Sequence, residues 1–92
     1  MVYGNDPKSL MASDFGLRVY PNPASQNVQV SSAQELTDAE LDILDNQGRS
    51  VHAQRATGTL VDIDVSQLSS GRYTLRLRTE REEYTTSFSV AH

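Results

Sequence analysis

Arg72-Tyr73-Thr74-Leu75-Arg76-Leu77-Arg78-Thr79 decides the fold class. Tyr73, Leu75 and Leu77 fall on one side of an extended chain. Arg72, Thr74, Arg76 and Arg78 fall on the other. A period of two with one apolar and one charged face is the mark of a half-buried strand. Downstream, Glu80–Glu83 reads as a turn. Tyr84–Val90 then alternates, with Tyr84, Thr86, Phe88 and Val90 inward. Upstream, Ser66–Gly71 reads as a turn, preceded by Leu60–Val65 with Val61, Ile63 and Val65 on one face.

The same pattern continues towards the N-terminus. Ser50–Arg55 and Glu40–Asp45 flank Asp45-Asn46-Gln47-Gly48, where Gly48 suits the left-handed residue of a hairpin with a bulge. Asn27–Ser31 alternates around Val28 and Val30. Leu17–Tyr20 is a short strand stopped by Pro21-Asn22-Pro23, because proline has no N–H to give a central ladder. Residues 32–39 are polar and weakly patterned, and the Ser32/Glu35 spacing admits a capping box and a short helical turn. Residues 1–16 have no period and read as a linker or tail; residues 17–92 form the domain. About seven short strands with regular turn signals predict an all-β, immunoglobulin-like antiparallel sandwich.

Composition narrows the function. The 92 residues make one small domain, and 37% hydrophobic content is lean but sufficient for a core. There is no cysteine, which removes disulfides, thiolate metal sites and cysteine nucleophiles together. The net charge of −4 disfavours general nucleic-acid binding. No apolar run is long enough to span a membrane as a helix. Met1 to Leu10 has neither a basic nor an apolar signal-peptide region.

The candidates for chemistry are few. His52 and His92 do not sit in a ligand-spaced cluster, so neither a catalytic group nor a metal site is expected. Asp62 and Asp64 share a strand face and Asp45 lies in a turn; solvated carboxylates explain them better than a calcium site. Arg72, Arg76 and Arg78 form a basic stripe and the candidate docking face. Tyr73, opening a strand after Leu68-Ser69-Ser70-Gly71, fits a tyrosine corner, in which the hydroxyl bonds backbone a few residues upstream. Gly71 suits a positive φ at that turn.

Taken in order, these segments resemble a known family. Val19-Tyr20-Pro21-Asn22-Pro23-Ala24 is followed by Ile43-Leu44-Asp45-Asn46-Gln47-Gly48-Arg49, Ile63-Asp64-Val65-Ser66-Gln67-Leu68 and Gly71-Arg72-Tyr73-Thr74-Leu75. This resembles the C-terminal sorting domain of the type IX (Por) secretion system, over about Leu17 to Val90. The motif positions are Tyr20, Pro21, Asn22, Pro23, Asp45, Gly48, Leu68, Gly71 and Tyr73.

The resemblance implies a non-catalytic export signal, with no cofactor, at the end of a larger cargo protein. Its partners would be an outer-membrane translocon and a sortase-like protease. Its route would run through the periplasm to the cell surface or medium. The absent signal peptide would then belong to the start of a longer precursor. Cleavage is expected in the linker within about Lys8 to Phe15, where Ser9, Ala12 and Ser13 are small and accessible. Family members often end in lysine or another basic residue; this chain ends Phe88-Ser89-Val90-Ala91-His92. Edge pairing through Tyr84–Val90 is a route to a dimer. The rival reading is an adhesive or carbohydrate-binding module, for which Tyr20 and Tyr3 are the available stacking rings.

Overall fold

Every alternating segment becomes strand, but two of the gaps between segments do not break the chain. The computed structural model describes residues 10–11, 16–80 and 82–92. The strands are β1 (Leu10–Met11), β2 (Arg18–Tyr20), β3 (Asn27–Leu44), β4 (Ser50–Asp64), β5 (Gly71–Arg78) and β6 (Glu83–Val90). Five of them exceed two residues, not the seven expected. Asn27–Ser31 and Glu40–Leu44 are the two halves of β3, and Ser50–Arg55 and Leu60–Asp64 are the two halves of β4.

The residues between those halves form a bend rather than a turn. The register of β3 on β4 slips between Ser31 and Leu36 and again between Leu36 and Ala39. Asp38 takes a φ of 51° and Gly58 one of 103° at the same level. Extra residues on one strand of a pair bend it and raise its twist. Leu36, Ala39 and Ala56 stay buried through the bend, so it is anchored in the core. The helical turn admitted at 32–39 does not form. Ser32 Oγ instead accepts from the Gln34 amide at 3.2 Å and donates to the Gln34 carbonyl at 2.6 Å, occupied locally within extended chain.

The long β3–β4 hairpin therefore folds over on itself. One layer holds β6, β5, the second half of β3 and the first half of β4. The other holds β2, the first half of β3 and the second half of β4. Val28 and Val30 from one half of β3 join Leu41 and Ile43 from the other in a single core cluster. Ile63, Leu75, Leu77 and Phe88 complete its centre, all essentially without solvent contact. Burial of side chains this size stabilises by about 1.5–3 kcal/mol each relative to exposure.

The two margins of the sandwich differ. On one, Ala24 just after β2 forms a parallel bridge with Val90 of β6 and joins the layers. The same strand β6 takes β1 in parallel, Leu10 opposite Tyr84 and Met11 opposite Thr85. The rest of the segment read as linker lies largely outside the described residues. On the other margin β4 pairs with β3 alone among the described residues.

Candidate functional site

Strand register places every motif segment at one end of the sandwich. Leu44, at the end of β3, lies opposite Thr74; Gly71, at the start of β5, lies opposite Val90. The turn 65–71 therefore stands beside residues 88–92, and the turn 45–49 lies at the same end with β5 between. The segment after β2 reaches the same place. Asn22 Oδ1 accepts from the Ser89 amide at 2.9 Å. The Ala24 amide donates to the Ser89 carbonyl, and the Ala91 amide donates to the Ala24 carbonyl, both at 2.8 Å. Ala24 itself is fully buried. The Tyr20–Pro21 and Asn22–Pro23 bonds are both cis.

The second motif segment grips the same strand end from the other side. The Tyr73 hydroxyl donates to the Ser69 carbonyl at 2.7 Å, four residues upstream, which makes a tyrosine corner. The Tyr73 ring packs on Phe88, with centroids 6.0 Å apart. The His92 amide donates to Ser70 Oγ at 3.1 Å. A ring nitrogen of His92, Nε2, donates to the Leu68 carbonyl at 2.6 Å, since a carbonyl can only accept. Leu68 itself is half-buried against the core. Gly71 opens β5 with a φ of 159°.

The 45–49 turn is built around one carboxylate. Asp45 Oδ1 accepts from the amides of Gln47 and Arg49, each at 2.9 Å, and Oδ2 accepts from Arg49 Nε at 3.0 Å. The backbone of Arg49 and then Gln47 holds the Asp45 carboxyl below its ordinary 3.8. Gly48, at φ 84°, supplies the left-handed residue of the turn. Asp64 does the same work at the next turn, accepting from the Ser66 hydroxyl at 2.6 Å and amide at 2.9 Å. Those two bonds lower its pKa as well. Asp62 accepts from Asn27 Nδ2 at 3.2 Å. The aspartates serve local backbone and side chains, and among the described residues no three His, Asp or Glu side chains gather into a metal site.

The arginine stripe is not a free basic patch. Arg76 Nη2 meets Asp42 Oδ2 at 2.6 Å, with both side chains largely shielded. Arg78 lies 3.4 Å from Glu40 and 3.7 Å from Asp42. Arg55 of β4 shares Glu40 with Arg78 and also pairs with Asp38. The result is a band of three arginines and three acids across β5, β3 and β4. Glu40 and Asp42 are outward residues of their segment, and the pairing of β3 with β5 brings them to the stripe. Arg72 stands apart, exposed opposite Ser89.

At the opposite end, the bend together with Thr79, Glu80 and Glu82 encloses an open groove of about 750 Å³, lined also by Leu36, Asp38, Arg55 and Arg78 among others. Its walls hold charges of both signs and no histidine. Ser9, Ala12 and Ser13, the residues of the expected cleavage linker, lie outside the described residues, as does Tyr3. Tyr20 is 42% exposed, without a second ring beside it among the described residues.

Residues 18–91 match the family described as the secretion system C-terminal sorting domain. No curated protein matches the chain. Among solved structures, PorZ, an essential bacterial surface component of the type-IX secretion system of Porphyromonas gingivalis, superposes with a TM-score of 0.75 at 21% identity. That match covers 88% of this chain, which spans only 12% of PorZ. An immunoglobulin-like β-sandwich protein of the DUF3244 family from Bacteroides vulgatus gives 0.67 at 16% identity, over 84% of this chain and 86% of that one. The sulfur carrier protein SoxY from Chlorobium limicola gives 0.54 at 10% identity, over 92% and 84%. At these identities the likenesses show the sandwich fold.

Proposed function

The chain belongs to the secretion system C-terminal sorting domain family, and from that membership we propose that it is the export signal of a larger cargo protein. The type IX outer-membrane translocon reads the folded domain after the cargo has entered the periplasm. A sortase-like protease then cuts the linker ahead of β2 as the cargo reaches the cell surface or medium. The domain supplies no catalysis; it is substrate and address.

One observation carries this reading: two motif segments, far apart in sequence, converge on the last five residues. Asn22 and Ala24 hold Ser89 to Ala91 from one side. Leu68, Ser70 and Tyr73 hold Phe88 and His92 from the other. A receptor that reads this end meets a fixed arrangement of backbone turns. Motif residues at such positions work by shaping the surface, with few side chains held out for direct contact.

The experiment is a transplant. Residues 9–92 are fused behind a periplasm-targeted reporter in a bacterium with a type IX system and in a strain lacking the translocon. Reporter on the surface of the competent strain alone, with the domain removed, is the expected result. Mass spectrometry of the released reporter locates the cut. Folded, intact fusion retained in the periplasm of both strains would sink the proposal.

A further inference from the structure

The 15 residues of β4 are hydrogen-bonded to a neighbouring strand on one side only among the described residues. The opposite margin is different. There β6 carries β1 against Tyr84 and Thr85 and Ala24 against Val90. Edge pairing of a second molecule through Tyr84–Val90 would have to displace both, and β2, the other strand paired on one side only, is three residues long, so β4 offers the long edge.

Its first half has the character of an edge awaiting a partner. From Ser50 to Arg55 no side chain is buried on either face, although Ile43, opposite His52, and Leu41, opposite Gln54, are both in the core. Val51 is 41% exposed. His52 Nε2 and Gln54 Oε1 bond each other along the strand at 2.7 Å. Natural sheets blunt such an edge with lysine, proline, inward charge or a bulge, and here the one register slip, between Ile43 opposite His52 and Leu44 opposite Ser50, falls at Val51 and leaves 52–56 regular. Residues 50–56 contain no lysine, proline or carboxylate, and Arg55 is their only formal charge.

We propose that residues 50–56 of β4 pair antiparallel with the same residues of a second copy of this chain, about a two-fold axis at Ala53. The pairing joins two layers into one continuous sheet across the axis. The register is self-complementary. Ala53 meets Ala53 of the other copy without a clash. Val51 lies beside the aliphatic stem of Arg55, which can cover apolar surface while its guanidinium keeps its acids. His52 lies opposite Gln54, exchanging a bond within the strand for one across it. The two Arg55 side chains fall on opposite sides of the axis, apart from each other. The second half of β4 lacks this fit, because pairing it about Asp62 sets like charges face to face. An isologous contact of this kind closes after two copies and does not propagate into a filament.

The test uses the full chain. Sedimentation over a concentration series is expected to show the mass rising from one chain to two. Ala53→Asp places two carboxylates at the axis on a residue that is exposed in the single chain, so it keeps the fold and stays at one-chain mass. Ala53→Cys gives the chain its only thiol. Directly opposed Cα atoms in an antiparallel pair lie about 4.5–5.5 Å apart, within disulfide range. With oxidised glutathione as oxidant, the Ala53→Cys protein cross-links far faster than Thr59→Cys, an exposed site beyond the bend. One-chain mass at every concentration, or equal cross-linking from the two cysteine positions, would overturn the proposal.

Discussion

The two ends of the sandwich are built from different interactions, and the contrast explains why only one of them carries a motif. At the end formed by 20–24, 45–49, 65–71 and 88–92, side chains bond specific backbone atoms. Asp45 closes its own turn, Tyr73 reaches Ser69, and Asn22 reaches Ser89. Each contact needs one residue type at one position. At the other end, Arg55, Arg78, Glu40 and Asp38 share charges at 3.3 to 3.9 Å on exposed side chains. Many arrangements of charge would serve there. Sequence specificity accumulates where backbone geometry depends on a particular side chain.

The strongest way to break the contrast is to remove the anchor of the motif end. Phe88 is 1% exposed and lies under Tyr73. Phe88→Ala removes the ring and leaves a cavity, costing about 3–5 kcal/mol. Hydrogen exchange should locate the damage. The Ala91 amide, bonded to the Ala24 carbonyl, loses protection before the Asp38 amide at the far end does. Loss of protection at both ends together, with two-state unfolding, would show that the ends are one cooperative unit.

Left-handed residues give a smaller and sharper test, because the two ends fill them differently. Gly48 has φ 84° and a Cβ there would meet nothing within 4 Å, so the cost of Gly48→Val is conformational. It should destabilise by about 1–2 kcal/mol. At the bend Gly58 takes one positive φ, 103°, but the other, at 51°, falls on a residue with a side chain, Asp38. Asp38→Gly relieves that conformation and loses only an exposed ion pair, so it should stabilise by about 0.5 kcal/mol. Urea midpoints at unchanged slope read both values. The same sign at both positions would erase the distinction.

These residues also show what was legible in advance. Alternation marked the segments of β2 to β6, though not the short β1 in the stretch read as linker, because a period of two is a local property. Tyr73 and Gly48 were legible for the same reason: their partners lie within four residues. The bend was not. Residues 32–39 and 56–59 look polar and turn-like, and only their pairing across β3 and β4 keeps them extended. The neutral arginine band was missed because Arg76 and Asp42 are 34 positions apart. The convergence of Asn22 on Ser89 spans 67 positions. Nothing in either local segment points to the other.

Acid should act first on the motif end. The Asp45 carboxyl lies below its ordinary value because the Arg49 and Gln47 amides favour its charged form, and Ser66 does the same for Asp64. A carboxyl depressed in the folded chain contributes fully above its unfolded pKa. The contribution is lost as pH falls through the ordinary aspartate range, near pH 4, towards the folded value. Asp45→Asn removes that titration. Its stability should therefore vary less than that of the unaltered chain between pH 5 and about 3, as thermal midpoints would record. An unchanged pH dependence would mean that the turn keeps its conformation without the charge.

The smallest effect belongs to the far end, and its smallness is the point. Arg55 bonds the Asp38 carbonyl at 3.1 Å and faces Asp38 and Glu40 carboxylates, with its side chain 61% exposed. Water competes for each of those contacts, and ordering a long side chain opposes them. Arg55→Ala should cost no more than about 0.5 kcal/mol, and molar salt should remove most of that. The measurement is a pair of urea curves at low and high salt. A cost above about 1 kcal/mol that survives salt would mean that the charged band holds the β3–β4 bend closed. The far end would then depend on particular residues as much as the motif end does.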